Sequence, residues 1–167
     1  KELVGYKAKF MALTYTRLTM LFSDLYLHEQ AIYFAQHSLP FYKKLDTPSW
    51  YLARMLSEIG TNYDILKQLD SAYYYYTNAI QYVSDTNSLI YRDIRAHQYY
   101  LEYEMGHQPK ASTTKLFILY TNSNSQNECF SRAATIGEIY YHEEQYDSAL
   151  VYLKKVFEGS PRTDSKK

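Results

Sequence analysis

Residues 70–82 read DSAYYYYTNAIQY, in a chain of 167 residues that holds 21 tyrosines. Four tyrosines in a row suit a strand as well as a helix, so the spacing of their neighbours decides the fold. On a helix turning about 100° per residue, Ala72, Tyr73, Tyr76, Ala79, Ile80 and Val83 share one face. Tyr75 and Tyr82 flank it, while Tyr74, Asn78 and Gln81 point away. Tyr73 and Tyr76 are therefore assigned to a core, Tyr75 to its rim and Tyr74 to solvent. The small Ala72 and Ala79 on the same face let a second helix come close. Asp70 stands where an N-cap is needed, able to accept hydrogen bonds from the free N–H groups of the first turn. The same phrase returns near the end of the chain, where YDSALVYLKKVF (146–157) matches LDSAYYYYTNAI (69–80).

The rest of the chain carries the same period. Glycine (5) and proline (4) are scarce, and strand-like alternation is absent. Helices are expected at about 8–26, 29–44, 48–67, 70–84, 88–105, 109–121, 126–143 and 146–158. Thr47-Pro48 offers a cap followed by proline at the first helical position. Ser125-x-x-Glu128 is a capping box, and Gly106-His107-Gln108-Pro109 a tight turn between helices. Pro40 should kink or shorten the second helix.

Two segments repeat at longer range. Residues 53–84 and 130–161 both contain Ile-Gly-x-x-Tyr, at Ile59-Gly60-x-x-Tyr63 and Ile136-Gly137-x-x-Tyr140. A small residue follows at Ala72 and Ala149, and a larger one at Tyr76 and Leu153. A mid-helix glycine costs about 1 kcal/mol relative to alanine, which suits a place where two helices leave no room for a side chain. Two weaker copies centre on Ala31 and Ser112, with Thr19 and Tyr100 where glycine would stand.

This pattern resembles the tetratricopeptide repeat (TPR), a helix–turn–helix unit of about 34 residues. Leu56, Ile59, Gly60, Tyr63, Ala72, Tyr76 and Ala79 match its motif in the second copy. Ala133, Ile136, Gly137, Tyr140, Ala149, Leu153 and Pro161 match it in the fourth. Ser84 and Val156 depart from it, and the anchors Ala31, Ala72, Ser112 and Ala149 are spaced more widely than 34. The resemblance implies an all-α fold, a right-handed α–α superhelix of about eight antiparallel helices forming one solenoid over residues 1–167. The chain opens on KELVGYKAKF without an initiator Met and reads as a fragment of a longer protein.

Composition removes other classes. Lys+Arg and Asp+Glu balance at 18 each, and no basic stripe of the kind nucleic acid demands is present. No stretch approaches the roughly 20 apolar residues that span a bilayer. The one cysteine, Cys129, excludes an intrachain disulfide and reads as a small buried hydrophobe. No two of the five histidines have the i, i+4 spacing of a helical metal site, and no HExxH, phosphate-cradling glycine loop or nucleophile elbow occurs. The chain is thus read as a non-enzyme that needs no cofactor or metal. Its compartment, cytoplasm or periplasm, is left open.

In the TPR family, partners lie in a concave groove lined by the first helix of each repeat. Carried over, those positions are Leu13, Thr16, Met20 and Ser23, then Arg54, Ser57, Thr61 and Asp64. The third copy gives Ile94, His97, Leu101 and Glu104, and the fourth Ser131, Ala134, Glu138 and Tyr141. Arg54 is the one cation among them, so the family's clamp for a C-terminal carboxylate is missing and the groove leans acidic. The expected function is a protein-interaction module binding a peptide or protein segment, of the kind that serves bacterial regulators as sensor or scaffold. The alternative is a structural solenoid that self-associates through its ends, where Phe10, Met11 and Leu13 open the chain and Val156-Phe157 close it. A small-molecule carrier ranks behind both.

Overall fold

The computed structural model describes residues 2–45 and 49–159. Among them are eight α-helices and no strand: α1 (Glu2–Asp24), α2 (His28–Lys44), α3 (Trp50–Ile65), α4 (Leu69–Ile80), α5 (Leu89–Glu104), α6 (Pro109–Thr121), α7 (Gln126–His142) and α8 (Tyr146–Gly159). Every expected helix is present. α2 stays helical past Pro40 to Lys44 instead of stopping there. α4 ends at Ile80, short of the expected 84. The Thr47-Pro48 start lies outside the described residues, and α3 begins after Ser49. The Asp70 cap is corrected: Gln68 occupies the N-cap of α4, and Asp70 sits inside the first turn. There its carboxylate meets the positive end of the helix dipole.

The chain divides into two compact units, residues 1–101 and 102–167, with the division inside α5. In the first, α1 packs on α2, α2 on α3 and α3 on α4; in the second, α6 packs on α7 and α7 on α8.

Four turns have one backbone design. After α1, Leu27 N donates to Phe22 O (2.9 Å) and Tyr26 N to Ser23 O (3.0 Å). The pairs recur as Gln68→Tyr63 with Lys67→Asp64, His107→Glu102 with Gly106→Tyr103, and Gln145→Tyr140 with Glu144→Tyr141. Each is a Schellman motif, whose penultimate residue must turn left-handed. Tyr26, Lys67, Gly106 and Glu144 have φ of 59°, 56°, 73° and 59°. Only one is glycine, so the other three turns were silent in the sequence.

These turns fix the register of the third repeat. The left-handed residue stands five positions before Ala31, Ala72 and Ala149, but Gly106 stands six before Ser112. The extra residue shifts α5 by one relative to an alignment made on Ser112. Burial agrees: Ile94, Gln98 and Leu101 are buried as Met55, Ile59 and Asn62 are in α3. Tyr99, not Tyr100, therefore corresponds to Gly60.

The core of the first unit gathers Ala12, Ile32, Ala35, Met55, Ile59, Tyr76, Ile94 and Leu101, among others. Tyr76 is 0% exposed and Tyr74 62%, while Tyr73 and Tyr75 are half-buried. Only one of the two tyrosines assigned to the core is fully enclosed. A Cβ built on Gly60 would lie 3.0 Å from the Tyr76 ring, and one on Gly137 2.8 Å from Leu153 Cγ. The repeat glycines admit the large residue of the following helix.

In the second unit the Ser125 cap holds, with Glu128 N donating to Ser125 Oγ at 3.3 Å. The Glu128 carboxylate closes the turn one residue earlier, accepting from Asn124 N at 2.8 Å. It also pairs with Arg132, and both side chains are buried. Arg132 Nη1 donates to Leu119 O and Ser123 Oγ, each at 2.9 Å. This pair ties the polar loop 122–125 to α7.

Candidate functional site

Helices α1, α3 and α5 place their side chains along one face of the first unit, and two hollows flank α3. The smaller, about 350 Å³, is lined by Ser23, Asp24, His28 and Asn62 among others. The larger, about 620 Å³, lies between α3 and α5 and includes Trp50, Arg54, Ser57, Leu89, Asp93 and His97. Glu58 and Thr61 line both, so the hollows meet across α3.

The floor is braced from below. Buried Asn62 accepts from Ser23 Oγ at 3.0 Å, lies 2.9 Å from His28 Nδ1, and donates to Glu58 O at 2.8 Å. Thr61 Oγ1 shares a hydrogen bond with the Tyr76 hydroxyl at 3.0 Å. The His97 ring stacks flat on Tyr76, 5.2 Å between centroids and 6° between planes. These contacts fix the lining while leaving its outer side open.

The electrostatics follow from partial burial. Desolvation raises the Glu58 pKa, Arg54 opposes the shift and Asp24 adds to it. His97 is open to solvent on the groove side, yet the protein mass around it lowers its pKa and favours the neutral ring. Water reaching that open side limits the shift. Burial, with only the Thr61 bond opposing it, raises the Tyr76 pKa and keeps the phenol protonated.

The expected groove residues divide three ways. Arg54, Ser57, Thr61 and His97 meet in the larger hollow. Thr16 and Leu101 are structural. Thr16 Oγ1 lies 2.8 Å from Tyr42 Oη and 2.9 Å from Ala12 O, tying α1 to α2. Leu101 is completely buried, because the one-residue shift of α5 gives it the place of Asn62. Met20 is exposed on α1, and Asp64 and Glu104 are half-buried. Glu138 and Tyr141 belong to the second unit, exposed on α7, where Glu138 Oε1 lies 3.9 Å from His142 Nε2 and Tyr141 packs on Tyr146. Cys129 is half-buried, not enclosed.

Sequence reasoning missed Trp50, Glu58, Asp24 and Asp93. One signal was present: Trp50, Arg54 and Glu58 recur every fourth residue, which stacks them on one face of α3. Among the described residues no group of three or more His, Cys, Asp or Glu gathers as a metal would require. None of the described helices is long and apolar enough to cross a membrane.

No protein-family profile and no curated protein sequence matches this chain. Among solved structures, the crystal structure of MamA superposes with a TM-score of 0.57 at 19% identity, over 89% of this chain and 77% of that one. MamA is a TPR-like helical repeat protein. The likeness, with the eight helices, shows an all-α, TPR-like helical repeat fold.

Proposed function

We propose that this chain is a protein-interaction module of TPR type, which docks a segment of a partner protein along α1, α3 and α5. The carrying observation is the continuity of two hollows across Glu58 and Thr61. A surface that crosses three helices with a fixed floor and open polar side chains suits an extended segment. Filling it with Ser57→Trp tests the reading, beside Tyr74→Ala on the outer face. We expect a partner identified by mass spectrometry to bind the original and the Tyr74 variant but not the Ser57 variant. Retention of the same partners by all three would sink it.

Self-association through α8 is the second reading. Leu150 and Phe157 are 64% and 71% exposed. Their counterparts by repeat position, Ile32 with Leu39 and Tyr73 with Ile80, pack in the core of the first unit. Sedimentation equilibrium of the original and of Leu150→Lys/Phe157→Lys separates the readings. A monomer at all concentrations removes this one.

A further inference from the structure

The proposed groove has a chemical bias that narrows its occupant, and this inference rests on that proposal. Its lining holds three carboxylates, Asp24, Glu58 and Asp93, and one guanidinium, Arg54. The carboxylates occupy both hollows and Glu58 stands where they join. Next to this acidic centre the larger hollow presents an apolar wall of Trp50, Leu89, Ile90 and Ile94. We propose that the occupant is an extended protein segment bearing a lysine or arginine, seated in the Asp24–Glu58 hollow, and an apolar side chain, seated on the Trp50–Leu89 wall. Trp50 and Glu58 stand eight residues apart on α3, about 12 Å along its axis, and an extended chain rises about 3.3 Å per residue. The two anchors are therefore about four residues apart in the bound segment.

Charge complementarity carries the choice. Glu58 is held in a setting that disfavours its ionised form, through burial first and the Asp24 charge next. A cation entering this hollow reverses that penalty, and charge-assisted hydrogen bonds are strongest where water is partly excluded. An acidic segment would meet one guanidinium, Arg54, in a lining where Glu58 and Asp24 repel it. Trp50 adds a face on which a cation or an aliphatic chain can rest.

The test is selection of a random 12-residue phage-displayed peptide library on the immobilised chain. Binding of the winning peptide, fluorescein-labelled, is then measured by anisotropy. We expect clones rich in Lys or Arg with an apolar residue about four positions away. Asp24→Asn/Glu58→Gln should weaken binding about tenfold, and Arg54→Ala should tighten it several-fold. Opposite signs from two sets of variants cannot come from a folding defect. Selection of acidic or uncharged peptides, or indifference to Asp24→Asn/Glu58→Gln, overturns the basic-segment assignment and leaves peptide docking standing. Spermidine binding as tightly as the peptide overturns the assignment to a protein segment. Enrichment of no peptide at all overturns both this inference and the docking function beneath it.

Discussion

Gly60 on α3 faces the flat of the Tyr76 ring on α4, and the space a Cβ would take there ends 3.0 Å from Cδ1 and Cε1. The ring is fully enclosed and stacked on His97, so it cannot withdraw. Gly137 faces Leu153 at 2.8 Å, but Leu153 is half open to solvent and can turn aside. Alanine gains about 1 kcal/mol of helix propensity at either site, while overpacking costs about 1–3 kcal/mol. We expect Gly60→Ala to lower stability in urea unfolding and Gly137→Ala to stay within about 1 kcal/mol of the original. Equal losses at both would mean that Leu153 is held as firmly as Tyr76, and no loss at Gly60 would mean that the Tyr76 ring can give way.

Glu58 should make stability pH-dependent in an unusual direction. Its folded pKa lies above the unfolded one because burial, and Asp24, disfavour the charge. The penalty is therefore fully present at neutral pH. It is relieved as pH falls through the folded value toward the ordinary carboxylate value of 4.5. Glu58→Gln should raise Tm at pH 7, and the difference should vanish in acid. His97 contributes oppositely, since its lowered pKa costs stability as pH falls below 6.5, but it cancels in this comparison. A Gln variant no more stable than the original at pH 7 would argue that Arg54 fully compensates the carboxylate.

Arg132 and Glu128 form a buried pair on α7, 3.3 Å apart. Removing one partner strands a charge, which costs about 3–5 kcal/mol, whereas removing both charges costs much less. Arg132→Met should thus destabilise strongly, and Arg132→Met/Glu128→Gln should recover part of the loss. Glutamine still accepts from Asn124 N, keeping the turn. Chemical denaturation of the three proteins measures the coupling. A double variant as weak as the single one would show that the Arg132 bonds to Leu119 and Ser123 matter more than the charge.

The helices and two repeats were legible because Gly60, Gly137 and their partners are residues of extreme size, which leave a signature at fixed spacing. The third repeat was not. Tyr99 and Tyr100 both stand near the glycine slot, so neither fixes the phase, and one extra residue in the turn before Ser112 moved α5 out of register. Leu101 was placed in the groove for that reason and is core. His97 reached the groove despite the shift, because it takes the place of Glu58. The spacing of Trp50, Arg54 and Glu58 puts Glu58 on the face of α3 that carries the groove, but its place where two hollows join depends on α1 and α5 and is not encoded locally. The Schellman turns were hidden at Tyr26, Lys67 and Glu144, where paired backbone hydrogen bonds hold a conformation that the residue disfavours.

Those turns support a last prediction. A left-handed conformation costs a non-glycine residue about 1–2 kcal/mol, offset in part by the greater freedom glycine loses on folding. Glu144 has φ of 59° and is exposed, so Glu144→Gly should stabilise by up to about 1 kcal/mol. Gly106 has φ of 73° with nothing within 4 Å of a built Cβ, so Gly106→Ala should destabilise by about 1 kcal/mol through backbone strain alone. Both are read as shifts of the urea midpoint at constant m. The pair isolates conformation from packing, because neither site changes a contact in the core. If Glu144→Gly lost stability instead, the carboxylate itself would have to hold the α7–α8 turn, and the four turns would be alike in shape but not in what maintains them.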